Sequence, residues 1–245
     1  MGQHWYSSTG TPEHFRGPNG SSTTLREARK LNLYPSVTTV LDVLAKPGLE
    51  VWKRRQAVLA ALTLPRMPDE PSEDLLARID ADASREAKEA AEHGSAIHQA
   101  VEAMLTGNPV PERFKPHCAG VRRMLDDNYP GVTDWVVERR FAHPAGFAGC
   151  CDLHSPSTGI VIDHKSADIR EGDTKQLAYS QHTQLGAYAW GLGLPPRAGA
   201  NLFISRTEPG LVRFHEWSDA KMQEGRAIFE YALKIWQLTR GYVPS

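Results

Sequence analysis

The chain has 245 residues, of which 40% are hydrophobic and 23% are charged, and its formal net charge is -1. This composition is typical of a globular protein and excludes the disordered and fibrous classes. No stretch reaches the roughly 20 apolar residues of a membrane span, and the first residues lack the basic and apolar regions of a secretory signal. We therefore expect a cytoplasmic protein without membrane association, in which a nucleic-acid partner would have to meet a local basic patch.

The first part of the chain is predicted to be an extended arm followed by helices. Residues 1–35 are rich in Gly, Ser, Thr and Pro, which predicts turns outside the core apart from a short helix at LREARKL. Ser36 or Thr38 is suited to cap a first helix, and Pro47-Gly48 separates that helix from a second.

The second of these helices carries basic residues beside an aromatic one. Trp52 is followed by Lys53, Arg54 and Arg55, a combination that suits tracking of a phosphate backbone with stacking of a base. A solvated helix face without any ligand explains the same run equally well. Lys53, Arg54 and Arg55 are therefore candidate nucleic-acid-binding residues.

The rest of the chain changes from helical to strand-like periodicity. Residues 72–105 predict one long helix or two, and residues 112–128 predict a further helix. Strands are then predicted in DWVVERRFAH, GFAGCCDLHS, GIVIDHKSA, ANLFISRT and GLVRFHEWS, with helices at about 179–191 and 219–240. This order indicates an α/β fold around a mixed sheet. We place an N-terminal arm and helical extension at residues 1–83 and a core at 84–245, forming one compact unit.

Two acidic residues and a lysine are predicted to converge at the ends of neighbouring strands. Asp163 and Lys165 project to one face of their strand because side chains alternate. A tight turn before this strand brings Asp152 opposite Asp163, within one position. Like charges so close favour a divalent cation with oxygen ligands, Mg²⁺ or Mn²⁺. The alternative is an ordinary ion pair at a strand end.

Helical residues before and after these strands share faces at a spacing of four. Gly94, His98 and Glu102 lie along one face of the long helix, and His98 is a candidate metal ligand. A structural histidine bonded to Glu102 is the alternative for this position. Gln184 and Tyr188 likewise share one face of the helix at about 179–191.

The cysteines do not indicate a metal site or a disulfide. Cys118, Cys150 and Cys151 are an odd number, and a disulfide between the adjacent pair would be strained. The pair lies near His154 and His164, but the C-x₂-C spacing of a zinc site is missing. We expect packing roles in a reducing compartment.

Together these motifs resemble the PD-(D/E)XK nucleases, specifically the RecB-like and phage exonuclease branch. The marks of that family are a GxxxH helix, a GxxD strand end, a D-x-K strand end and a QxxxY helix. In this chain the corresponding segments occur in the same order: Gly94 to His98, Gly149 to Asp152, Asp163 to Lys165, and Gln184 to Tyr188. The segments PSVTTVL and KPGLEVW also look like the N-terminal part of phage-encoded members.

The resemblance implies a role for each matching residue. Asp152, Asp163 and His98 would bind the metal, joined by the backbone carbonyl of His164. Lys165 would orient or deprotonate the attacking water, or stabilise charge developing on the phosphate. Asp152, Asp163 and Lys165 are thus the expected catalytic residues.

The same resemblance implies fold, reaction and partners. The fold would be restriction-endonuclease-like, with a central mixed β-sheet flanked by helices and an N-terminal helical extension. The reaction would be exonucleolytic hydrolysis of DNA in phage recombination or repair, with a recombinase or single-strand annealing protein as partner. Gln184 and Tyr188 would contact the DNA strand. A structure-selective endonuclease and a catalytically silent nucleic-acid-binding module are the alternatives. The four cysteines of an iron-sulfur cluster, found in some relatives, are absent.

Overall fold

The computed structural model describes residues 3–15, 20–174, 176–195 and 197–245, but not the Leu49 side chain. Its helices are α1 (Leu25–Leu31), α2 (Val37–Leu41), α3 (Pro47–Thr63), α4 (Ser72–Leu105), α5 (Lys115–Asn128), α6 (Gln181–Gly191) and α7 (Asp219–Arg240). Its strands are β1 (Trp5–Tyr6), β2 (Tyr34–Pro35), β3 (Val136–His143), β4 (Phe147–Ser155), β5 (Ile160–Ala167), β6 (Gly199–Ser205) and β7 (Val212–Trp217).

The central sheet has five strands in the order β3-β4-β5-β6-β7. The β5-β6 pair is parallel and the other neighbours are antiparallel. A parallel neighbour needs a crossover connection, which α6 supplies between β5 and β6. The predicted α/β class with a mixed sheet flanked by helices is therefore confirmed.

Helices cover both faces of this sheet. On one face α6 packs closely against α7. The two helices are so close at Gly225 that a methyl group there would overlap the carbonyl oxygen of His182. On the other face α5 contacts β6 and β7. The side chain of Ser36 accepts a hydrogen bond from the Thr39 N–H and caps α2, while the segment predicted as one helix or two is the single helix α4.

The prediction that residues 1–35 lie outside the core is wrong for the described part of that segment. Trp5 is fully buried and its ring packs edge-on against Trp236, with ring centroids 6.0 Å apart. Strand β1 pairs with β2, and Ala28 of α1 is also fully buried. The polar composition of the segment concealed these few apolar residues. Residues 1–2 and 16–19 of the predicted arm lie outside the described residues.

The chain divides into two compact units, Met1–Leu44 with His98–Ser245, and Ala45–Ile97. The division falls elsewhere than the boundary predicted after residue 83, because the first segment packs with the central sheet and the second unit continues along α4 to Ile97. The second unit consists of α3 and the part of α4 before His98, and an ion pair of 2.6 Å joins Arg78 to Glu70 within it.

None of the helices in the described ranges combines the length and apolar character that a bilayer crossing requires.

Candidate active site

The candidate site lies where β4 and β5 separate. Their pairing ends at Leu153 and Ile162, and the same register continued by one residue sets Asp152 opposite Asp163. Beyond that point β5 stays paired with β6 as far as Ala167. Asp152 and Asp163 therefore face each other at a fork in the sheet, as the sequence predicted.

Asp163 is held by three side-chain nitrogens although it is only 2% exposed. Lys165 Nζ donates to Asp163 Oδ1 at 2.9 Å, and Gln184 Nε2 donates to the same oxygen at 3.1 Å. Asn201 Nδ2 donates to Asp163 Oδ2 at 2.8 Å. Three hydrogen bonds from N–H donors favour the ionised form of this carboxyl group, because a carboxylate accepts hydrogen bonds and donates none.

Burial and the ion pair act in opposite directions on Asp163 and Lys165. Burial raises the pKa of Asp163, and the nearby Lys165 ammonium only partly offsets this effect. Burial lowers the pKa of Lys165, but the attraction of Asp163 and Asp152 outweighs it and leaves that pKa above its usual value. The geometry therefore favours an ionised Asp163 beside a protonated Lys165.

Helix α6 places Gln184 and Tyr188 directly behind this ion pair. Lys165 Nζ donates to Gln184 Oε1 at 3.1 Å, and Gln184 Nε2 also donates to the Tyr188 hydroxyl at 2.7 Å. Tyr188 is only 6% exposed, and burial raises its pKa well above the usual value. This placement makes Gln184 and Tyr188 supports for Asp163 and Lys165. Contact of either residue with DNA stays a prediction.

Asp152 lies next to His164, and the ring of His164 in turn meets that of His98. The backbone N–H of His164 donates to Asp152 Oδ2 at 2.7 Å, and Nδ1 of the same histidine lies 3.9 Å from that oxygen. The rings of His98 and His164 meet edge to face, with centroids 6.0 Å apart. Burial, together with the nearby His98, lowers the pKa of His164 to about 3. Direct contacts therefore join Asp152 to His164, His164 to His98, and Lys165 to Asp163.

Asn201 is a member of this site that the sequence analysis missed. It is fully buried in β6, and besides its bond to Asp163 it accepts a hydrogen bond of 2.8 Å from the Trp217 indole N–H. The available signal was one amide side chain inside the otherwise apolar stretch GANLFI. Its partner could not be named, because no local pattern showed that β6 pairs with β5.

Glu138 is a second missed residue, and its backbone is unusual. Its φ of 51° lies in the left-handed region, at the β3 position skipped between the pairs Val137 with Leu153 and Arg139 with Cys151. The position across from it is thus Asp152. Cys150 Sγ donates to Glu138 Oε2 at 2.9 Å, and burial raises the pKa of the Glu138 carboxyl.

The candidate nucleic-acid-binding residues of α3 belong to the other compact unit. Lys53, Arg54 and Arg55 are exposed on that helix, and Lys53 Nζ lies 3.1 Å from Glu50 Oε1. Their part in binding DNA stays a prediction.

The three cysteines are unpaired thiols, with Cys118 and Cys151 buried as expected of packing residues.

The donor types at the fork fit a divalent cation. In the ranges that the structure describes, no three His, Cys, Asp or Glu side chains are already gathered as a metal-binding group. Lys165 Nζ lies against Asp163 and the His164 backbone N–H against Asp152. Two carboxylates and the His98 imidazole are nevertheless suitable ligands, and Nε2 of His164 is buried there without a hydrogen-bond partner.

Comparisons with known proteins do not identify a family. No protein-family model matches the chain, and no curated protein matches it. Among solved structures, the crystal structure of SSO0001 matches with 13% sequence identity over 77% of this chain and 88% of that chain. The TM-score of 0.29 is too low for this likeness to carry an argument. The functional interpretation therefore depends on the residues of the site.

Proposed function

We propose that the protein is a metal-dependent DNA exonuclease of the PD-(D/E)XK superfamily, from its RecB-like and phage branch. The observation that carries the proposal is the set of hydrogen bonds around Asp163, in which Lys165, Gln184 and Asn201 all reach one carboxylate opposite Asp152. An ordinary ion pair at a strand end does not need a buried carboxylate or two further polar partners from two other elements.

The proposed cofactor is Mg²⁺ or Mn²⁺. Asp152, Asp163, His98 and the backbone carbonyl of His164 would hold it. When bound, such an ion lowers the pKa of a water ligand and withdraws charge from a phosphate. Together these effects stabilise the transition state by several kcal/mol, in order of magnitude.

The chain's own residues would position and stabilise the reacting groups. Gln184 and Asn201 fix the orientation of Asp163 from opposite sides of its carboxylate. The raised pKa of Lys165, which follows from Asp163 and Asp152 outweighing burial, supports an ammonium that stabilises charge on the phosphate. The same raised pKa gives no support to Lys165 as a general base, because a general base has to be deprotonated. The side chain of Lys165 is 35% exposed, so a phosphate can reach it.

The proposed biological setting is resection of DNA ends in the bacterial cytoplasm, as part of phage recombination or repair. A recombinase or a single-strand annealing protein would then use the product strand. This setting depends on the family resemblance alone.

One assay tests the proposed reaction and its site. The purified protein would be incubated with Mn²⁺ and with labelled linear or covalently closed circular DNA. We expect release of nucleotides from linear DNA only, and about 10²-fold or greater loss in Asp163→Ala and Lys165→Ala, since each removes a group that acts on the reacting phosphate or its metal. Asp126→Ala, which removes an exposed carboxylate on α5, is the control and should keep full activity.

Each alternative has its own outcome in this assay. Cutting of closed circles would contradict an exonuclease and favour the endonuclease. Binding of DNA without cleavage under Mg²⁺ and Mn²⁺ would favour a silent binding module. Activity that survives Asp163→Ala would exclude the proposed site.

A further inference from the structure

Lys165 belongs to a row of residues that crosses three strands of the central sheet. The register pairs Lys165 of β5 with Phe203 of β6, and Phe203 with Arg213 of β7. Residues paired in this way project to one face of a sheet, and neighbouring strands lie about 4.8 Å apart, so the backbones of Lys165 and Arg213 are about 10 Å apart. Arg213 therefore lies on the same face as the candidate active site, two strands away.

A small pocket lies at the Arg213 end of this row. Its volume is about 240 Å³. Three of its lining residues come from the sheet and three from the segment before α6: Phe203, Arg213, His215, Gln176, Leu177 and Ala178. Pockets that enclose a whole small-molecule ligand measure roughly 300–1,000 Å³. This pocket therefore suits one unit of a longer ligand rather than a complete small molecule.

Arg213 gives the pocket a positive charge in a defined position. Its guanidinium donates to the backbone carbonyl oxygen of Arg170 at 3.1 Å and also to that of Asp173, and these bonds orient the side chain. The planar fork of a guanidinium matches the oxygens of a phosphate. Phe203, which is only 4% exposed, supplies an apolar floor beside it. Cations next to apolar and aromatic groups are typical of surfaces that bind single nucleic-acid strands.

A chain of contacts joins the pocket to the Asp163 carboxylate. The His215 ring meets the Trp217 ring edge to face, with centroids 4.3 Å apart. The Trp217 indole N–H donates to Asn201, which in turn donates to Asp163. The pocket wall and the candidate active site are thus held in a fixed relation within one compact unit.

We propose that this pocket binds a nucleotide of the DNA strand that neighbours the scissile phosphate, with Arg213 bonded to the phosphate of that nucleotide and Phe203 beneath its sugar. This inference rests on the proposed function, which places the scissile phosphate at Lys165. A strand that crosses β6 from Lys165 towards β7 reaches the pocket with its next units. Arg213 is therefore a substrate-binding residue that positions the strand and takes no part in the chemical step.

The first measurement is DNA binding without cleavage. A labelled duplex with a single-stranded overhang is titrated with the full chain in EDTA at several salt concentrations, and fluorescence anisotropy gives the affinity. Arg213→Gln should weaken binding by about 10-fold or more. It should also reduce the slope of log affinity against log salt concentration by about 0.7–0.9, the value for one lost phosphate contact. An unchanged slope would overturn the inference.

The matched control is Arg123→Gln. Arg123 is exposed on α5, which packs on the opposite face of the sheet, so its loss should leave the slope unchanged. In the cleavage assay Arg213→Gln should raise KM by about 10-fold while kcat stays within about 2-fold of the wild type, because only binding of the strand is impaired. An equal loss in kcat would contradict a pure binding role.

A second pair of variants does not disturb Arg213. Gln176 is exposed at the rim of the pocket, and its Nε2 donates to the carbonyl oxygen of Ala178 at 2.9 Å. Gln176→Glu should weaken DNA binding and Gln176→Lys should strengthen it, each by about 3-fold, through the charge placed beside the bound phosphate. The same two changes at Gln223, an exposed residue of α7, are the control and should have no effect. Equal affinities of the two Gln176 variants would refute the pocket.

The outcomes separate this inference from the proposed function. Cleavage by the wild type, with the same affinity and KM in Arg213→Gln, would refute the pocket and leave the nuclease proposal standing. DNA binding that depends on Arg213, without cleavage under Mg²⁺ or Mn²⁺, would support the pocket and contradict the nuclease. Failure of the wild type to bind DNA would overturn both.

Discussion

At the scale of single residues, Asn201 connects the candidate site to the core. Its amide donates to Asp163 and its carbonyl oxygen accepts from Trp217, so both ends of the side chain are used. The group is fully buried, and no water can replace either bond without a rearrangement. Asn201 therefore determines which way the Asp163 carboxylate points.

Replacement of Asn201 should impair both activity and stability. Asn201→Ala leaves Trp217 and Asp163 without a partner, which should cost about 1–3 kcal/mol in the free energy of unfolding and about 10–100-fold in cleavage rate. Asn201→Asp has the same shape but places a second carboxylate against Asp163, so its rate should be lower still. Urea unfolding and the linear-DNA assay measure the two quantities. Wild-type cleavage in Asn201→Asp would show that Asn201 does not orient Asp163.

The left-handed backbone at Glu138 gives a second residue-scale prediction. A non-glycine residue in that region costs about 1–2 kcal/mol. Glu138→Gly and Glu138→Ala both remove the carboxylate, but only glycine adopts the φ of 51° without strain. We expect the glycine variant to be more stable than the alanine variant by about 1 kcal/mol in urea unfolding. In an ordinary strand position alanine would be the more stable of the two.

At the scale of elements, strand β1 is an integral part of the core. Trp5 is fully buried, its ring meets Trp236, and its indole N–H donates to the carbonyl oxygen of Thr23 at 3.0 Å. Trp5→Ala should therefore destabilise the protein by about 3–5 kcal/mol. Phe15→Ala, on the same segment but 67% exposed, should change stability by less than about 0.5 kcal/mol. Equal effects in urea unfolding would contradict the burial of β1.

The longer elements could be predicted from the sequence, and β1 could not. Strands β4 and β5 are nine and eight residues long, and the short turn between them fixes a register in which Asp152 faces Asp163, so local patterns were sufficient. Strand β1 has two residues and no period. Asn201 and Glu138 depend on which strands become neighbours, and that order is set by packing of the whole sheet.

At the scale of the whole molecule, partly or fully buried histidines are spread over several elements. Burial is the main cause that lowers the pKa of each of them below the usual value: His14, His143, His154 and His182. Because the unfolded chain binds protons more readily at these positions, acid favours unfolding. The stabilising contribution is complete above the unfolded pKa of about 6.5 and is lost as the pH falls towards the folded values.

The free energy of unfolding should therefore decrease from pH 7.5 to pH 5.5. His182 on α6 offers the cleanest test, since neither of its ring nitrogens has a hydrogen-bond partner in the described structure and its Nε2 lies 3.6 Å from Glu224 Oε1. Its share is at most about 1.4 kcal/mol per pH unit. His182→Gln should flatten the pH dependence measured by urea unfolding. Glu224→Gln removes a charge that raises the pKa of His182, so it should steepen the dependence. A flatter curve in Glu224→Gln would mean that His182 is already protonated in the folded protein.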